Sequence, residues 1–238
     1  MILANAQVAQ IQFFINGIKT RTEGLDFVAN YKNINLGSGR LGINLAGNYT
    51  LANEIIGSPN NPKAIADAGS SILSTQIKSL LTESRPQYKA VLGFDYNVNK
   101  FSIDLNNTLF GPTKFQDLDN GTSYDGLGIT GVTDQSRNVM NDIRQRFKPA
   151  VVTDLNVGYN FTDKFSASIT VNNVLNVIPK WDLQSLNSDG QKVLDNAAAK
   201  SLLEGFLEFS GRYKILAYNG SQFSQLGTIF QASVTFKF

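Results

Sequence analysis

Along much of the chain, apolar and polar residues alternate strictly. In Val151 to Val177, VVTDLNVGYNFTDKFSASITVNNVLNV, every second residue from Val151 through Val157 to Tyr159 is apolar or Thr, with Asp154, Asn156, Gly158 and Asn160 among the residues between. The alternation restarts at Phe165, Ala167, Ile169 and Val171. A period of two places the two sets on opposite faces of a strand, so this stretch predicts two strands and a short turn. Each predicted strand is about ten residues long. That exceeds the usual globular strand of about five or six and is about the length that crosses a bilayer when tilted.

The same pattern recurs on both sides. Ile11, Phe13 and Ile15 predict a first strand; Leu25, Phe27, Ala29 and Tyr31 predict a second, and Leu41, Ile43, Leu45, Gly47, Tyr49 and Leu51 its hairpin partner. Tyr88, Ala90, Leu92, Phe94 and Tyr96 precede the turn Asn97 to Lys100, and Phe101, Ile103, Leu105 and Leu109 follow it. A last strand carries Phe230, Ala232, Val234, Phe236 and Phe238. Segments 53–85, 111–147 and 178–226 break the pattern, and within them Ile72, Leu73, Ile77, Leu80 and Leu81, and again 197–206, predict short helices. Loops longer than about fifteen residues are rare in compact soluble domains, whereas outer-membrane barrels alternate short periplasmic turns with long outer loops. On the apolar face, Tyr31, Tyr96, Phe101, Tyr159, Phe165, Phe236 and Phe238 lie beside the short turns, and Tyr49, Tyr88, Phe147 and Phe230 lie at the other strand ends. Aromatic rings favour the bilayer interface, so these predict two girdles. The expected fold is all-β: part of an antiparallel up-and-down transmembrane β-barrel, of about eight strands, rather than a soluble β-sandwich.

Composition narrows the function. The chain has 238 residues, 42% of them hydrophobic, and a slightly negative mean hydropathy, with no run near the roughly twenty apolar residues of a membrane helix. A barrel wall escapes that test because only alternate residues face lipid. A net charge of +2 without a clustered basic patch gives no support for nucleic acid as a partner. Histidine and cysteine are both absent, which removes Ser-His-Asp and Cys-His chemistry and the common zinc ligands. The sequence therefore offers no catalytic, cofactor-binding or metal residue, and the expectation is not an enzyme.

Two motifs match site patterns that their surroundings exclude. Gly37-Ser-Gly39-Arg-Leu-Gly42 matches the dinucleotide fingerprint, but a period-two strand follows it where a helix N-terminus is required, so it reads as a turn. Asp117-Leu-Asp119-Asn-Gly121 resembles the start of a calcium loop but lacks the glycine at position six and the glutamate at position twelve. Asp95, Asp104, Asp154, Asn156 and Asn172 fall on the polar face and read as a hydrated lumen wall.

Four places resemble the TonB-dependent outer-membrane receptors: Thr20 to Asp26, Arg85-Pro86 with Tyr88-Lys89, Asn173-Val-Leu-Asn176 near the end of the penultimate strand, and Gly211-Arg212 with the terminal Phe238. The resemblance implies a 22-stranded barrel around an N-terminal plug, with residues 1–238 as its C-terminal part, about eight strands in an open curved sheet. Signal peptide, plug and TonB-contacting segment find no counterpart in the sequence, so TonB is expected to act only through regions outside it. The implied function is active import of a large scarce solute, such as an iron chelate, cobalamin or a glycan, across the bacterial outer membrane. A passive porin or structural barrel protein, and a soluble sandwich binding protein, are the alternatives. Loop residues Tyr124, Trp181 and Tyr218 are candidate ligand contacts, with loop packing the competing role. Val234, Phe236 and Phe238 resemble the signal read by the outer-membrane assembly machinery. The implied partners are that machinery and the lipid bilayer.

Overall fold

The computed structural model describes residues 16–208 and 222–238. The expected strand at Ile11 to Ile15, together with Gly211, Arg212 and Tyr218, lies outside the described residues. In chain order the elements are β1 (Lys19–Leu36), β2 (Gly39–Ile56), α1 (Lys63–Asp67), α2 (Thr75–Thr82), β3 (Tyr88–Val98), β4 (Phe101–Phe110), β5 (Thr113–Phe115), β6 (Ile143–Phe147), β7 (Ala150–Asn160), β8 (Phe165–Asn172), β9 (Trp181–Ser185), α3 (Ser188–Asp195), α4 (Ala197–Leu207) and β10 (Ile229–Phe236). Asn and Ser side chains start the three longer helices: Ser74 accepts from the Ile77 amide, Asn187 from Gly190, and Asn196 from Ala198 and Ala199.

Seven strands form one antiparallel sheet in the order β1-β2-β3-β4-β7-β8-β10. Its register sorts the side chains as the alternation predicts. Tyr31, Ile43, Phe94, Leu105, Leu155, Val171 and Phe230 are consecutive cross-strand partners, one from each strand. One residue along, Gly42, Asp95, Asp104, Asn156, Thr170 and Gln231 form the matching row on the opposite face. The edge strands β1 and β10 do not pair with each other, so the sheet is open. That is the expected outcome for part of a larger barrel wall.

Each hairpin turns tightly at one end of the sheet. Leu36 pairs with Gly39 across Gly37-Ser38, and Gly37 takes a φ of +58°, a conformation glycine adopts without strain. The fingerprint-like glycines are therefore a hairpin turn leading into a strand. At 18 residues each, β1 and β2 exceed the roughly 9–11 a membrane strand needs. A bulge at Leu51 shifts the register between Glu23/Ala52 and Gly24/Thr50. Beyond it, Arg21 lies 3.2 Å from both Glu23 and Glu54 on the side that continues the apolar face. Charge replaces Leu25 and Tyr49 there, which marks where the wall leaves the hydrocarbon.

Segment 111–147 and the described part of segment 178–226, residues 178–208, carry more regular structure than their broken periodicity predicts. Strands β5, β6 and β9 form a second, three-stranded sheet, and α3 and α4 pack with it around Tyr124, Met140, Ile143, Val193 and Leu203. This cap holds the hydrophobic core. Among the described residues, Val152 is the only buried hydrophobic side chain of the long sheet, while Leu25, Tyr31, Ile169, Phe230 and Val234 of that sheet are exposed. Phe147, expected in the outer girdle, is instead 1% exposed inside the cap. The chain leaves strand structure at Lys148-Pro149, where proline lacks the ladder donor, so the parity counted back from Val151 does not carry through.

Candidate functional site

At the turn end of the sheet the aromatic side chains touch in series. Ring centroids are 4.6 Å apart for Phe101–Tyr159, 4.8 Å for Tyr159–Phe161, 4.9 Å for Phe161–Phe165, 6.5 Å for Phe165–Phe236 and 5.3 Å for Phe236–Phe238. Further along, the Tyr96 hydroxyl donates to the Leu36 carbonyl at 2.9 Å, and its ring lies over Gly39, where a Cβ would come within 2.6 Å of it. The glycine is what lets the ring lie flat on the strand. Phe161 joins this band although it lies in the turn, outside the alternation that identified the others. At the loop end, Tyr49 and Tyr88 are register partners, and Phe230 is exposed on the last strand. Val234, Phe236 and Phe238 are all exposed along the β10 edge.

The polar face is a hydrogen-bonded surface. Asp95 and Asp104 are direct cross-strand partners. Like charges so placed repel, and each carboxylate accepts from an amide: Asn44 donates to Asp95 at 2.6 Å and Asn156 to Asp104 at 2.9 Å. Asn156 in turn accepts from Thr170 at 2.9 Å. Asn172 lies on this face opposite Ile229. Asp154 has a different task, described next.

The Asn173-Val-Leu-Asn176 segment forms a corner that ends β8. Both asparagines take left-handed backbone, with φ of +55° and +52°, which asparagine tolerates better than most residues. The Asn173 side chain donates to the Val177 carbonyl at 2.7 Å and accepts from the Val177 amide at 2.8 Å. Its own N–H donates to Asp154 at 2.7 Å, and its carbonyl accepts from the Thr228 hydroxyl at 2.7 Å. The corner thus joins β7, the end of β8 and the start of β10, and so sets the register of strands separated by a long outer segment.

In the cap, Asp142 gathers three partners, two of them from distant sequence. It accepts from the Tyr124 hydroxyl at 2.6 Å and from Asn187 at 2.7 Å, and it forms an ion pair with Arg137, which also reaches Asp189 at 3.4 Å. Burial, then the hydrogen bond to Asp142, raises the Tyr124 pKa well above the usual tyrosine range, so the phenol stays a donor. Tyr124 is 0% exposed. That position supports loop packing for Tyr124 rather than ligand contact. Trp181 packs half-buried against the cap core. Asp182 beside it is penalised by burial, but Arg146, through two hydrogen bonds of 3.1 Å and its charge, and then Lys148, hold its carboxyl below the usual range. Asp117 is buried and caps its own turn through Asn120, and Asp119 accepts from Gln76 at 2.7 Å. These two carboxylates are spent within the loop. No cluster of three or more acidic residues that would suit a metal occurs among the described residues.

A cleft of about 540 Å³ opens where the cap meets the outer ends of β1 and β2. It lies on the polar side: Thr22 donates to its register partner Asn53 at 3.1 Å, and the Asn53 amide donates to the Leu81 and Thr82 carbonyls, docking the end of α2. Thr20, Thr22, Thr50, Thr82, Arg85, Gln87 and Lys114 are among its lining residues, and so is Leu51 of the bulge. Glu83, also in the lining, is held by Arg144 at 3.3 Å. Arg85 and Lys114 form no ion pair or side-chain hydrogen bond among the described residues. No local pattern marks this cleft, because its parts come from four separate segments.

An antiparallel meander with one exposed apolar face, an aromatic band at the turns and a folded cap at the loops is the wall of an outer-membrane type β-barrel. Residues 2–174 match the family model "TonB dependent receptor-like, beta-barrel", and the chain belongs to that family. It is a family of transporters rather than enzymes, located in the bacterial outer membrane. No curated protein and no solved structure matches the chain.

Proposed function

We propose that this chain is the C-terminal part of the barrel of an active importer that takes a large scarce solute, an iron chelate, cobalamin or glycan, across the outer membrane with energy delivered through TonB. The observation that carries the reading is the inversion of burial: the long sheet exposes its apolar face while the hydrophobic core sits in the outer cap. A water-exposed apolar sheet of this extent is unfavourable, and lipid removes the cost. The unpaired edges of β1 and β10 are equally costly in hydrocarbon, so further strands pair with them. The face carrying Asp95, Asp104, Asp154, Asn156 and Asn172 then lines the lumen, and TonB acts through a plug supplied from outside the residues described. Val234, Phe236 and Phe238 serve as the assembly signal, and Trp181 and Tyr218 are retained as ligand contacts.

A deletion strain grown on single iron or glycan sources tests this, in backgrounds with and without TonB. The proposal expects growth on one source to fail in the deletion and in the TonB-less strain alike. Uptake through this protein that persists without TonB contradicts it and supports a passive pore.

A further inference from the structure

We infer that the cleft between the outer ends of β1 and β2 and the cap binds a polyhydroxylated anion. The inference rests on the import reading only for its orientation toward the outside; the chemistry comes from the lining. At about 540 Å³ the cleft falls in the range of roughly 300–1,000 Å³ of small-molecule sites. Threonine hydroxyls from β1, β2 and α2, with the Gln87 amide, present donors and acceptors of the kind that ligand hydroxyls require. Leu51, Leu81, Pro86 and Pro112 supply apolar walls against which the carbon face of a sugar or chelate rests.

The charge decides the class. Glu83 is neutralised by Arg144 at 3.3 Å, which leaves Arg85 and Lys114 as the cleft's uncompensated charges among the described residues. Arg85 precedes Pro86 in the segment that leads into β3, and Lys114 lies on β5, where its backbone N–H donates to the Glu83 carbonyl at 3.0 Å. Two cations approaching one polar cleft from separate elements favour a carboxylate or phosphate and disfavour a neutral polyol. The bulge at Leu51 re-aims the β2 end into this cleft, a common use of bulges beside binding sites.

The test uses the full-length protein extracted from outer membranes in mild detergent, with calorimetric titration of three probes: tetragalacturonate, ferric citrate and maltotetraose. At least one of the two anionic probes binds ten-fold or more tighter than neutral maltotetraose, and its affinity falls as salt rises. Tight tetragalacturonate alone assigns an acidic glycan, and tight ferric citrate alone assigns an iron chelate; either supports the inference. The double variant Arg85→Gln with Lys114→Gln loses at least ten-fold in that affinity while the heat-modifiable mobility of the folded barrel stays unchanged. Arg146→Gln, a cation outside the cleft, keeps it. Anionic probes binding no tighter than maltotetraose, or a double variant that binds as the parent does, overturns the inference. Anion binding that is intact in a protein whose uptake is independent of TonB sinks the import reading and leaves the site standing.

Discussion

Asn173 offers the sharpest test of how the outer ends of the strands are held. It is 5% exposed, takes a φ of +55°, and its side chain bonds the Val177 backbone in both directions. Asn173→Ala removes two hydrogen bonds, each about 0.5–1.5 kcal/mol net. It also places a residue without a local polar group in left-handed backbone, at about 1–2 kcal/mol. The expected loss is about 2–5 kcal/mol. Asn173→Gly removes the same two bonds but enters the left-handed region freely, so it costs about 1–3 kcal/mol, less than alanine by the conformational part. Urea unfolding in detergent micelles, followed through Trp181, the single tryptophan of residues 1–238, measures both. If glycine proves as damaging as alanine, or if both fall within about 0.5 kcal/mol of the parent, the corner is not what ties β7, β8 and β10 together.

The cap predicts more. Tyr124→Phe deletes the 2.6 Å bond to Asp142 and costs about 1.5–3 kcal/mol, read as faster amide exchange in 113–147. Asp142→Ala costs more, about 3–5 kcal/mol, because it strands Arg137, Tyr124 and Asn187 together. Since Asp182 is held below the usual carboxyl range, its contribution is complete above the ordinary value of about 3.9 and is lost as pH falls through the lower folded value. The pair is partly exposed, so the effect is under about 1 kcal/mol; Asp182→Asn flattens the acid limb of cap proteolysis against pH. Deleting Phe238 lowers the amount of heat-modifiable protein in the outer membrane, and an unchanged amount contradicts its role in assembly.

The wall was legible because a strand's period of two is written locally: Leu105 and Leu155 need no knowledge of each other to fall on one face. The helices at Thr75–Thr82 and Ala197–Leu207 were legible from apolar spacing. The cap was not, because its short strands run for only three to five residues, too few for alternation to register, and its order comes from long-range partners such as Phe147 with Trp181. Tyr124 illustrates the limit. An aromatic residue in a long loop looks available to a ligand, and only the fold shows that Asp142, eighteen positions away, has claimed its hydroxyl. The cleft cations escaped for the converse reason: Arg85 and Lys114 gain meaning from the partners they lack.

The two faces of the long sheet see different solvents in the membrane. Residues 1–238 contain no cysteine, so after replacement of any cysteine elsewhere in the full-length protein, single substitutions here give unique spin-label sites. Ile103→Cys, Asp104→Cys, Leu105→Cys and Asn106→Cys, each labelled in native outer membranes, separate the faces by collision with oxygen, which concentrates in hydrocarbon, and with a water-soluble nickel chelate. Oxygen reaches labels at 103 and 105, and the nickel chelate reaches labels at 104 and 106. Equal access of the nickel chelate to all four positions, or the inverse alternation, contradicts this separation of the faces.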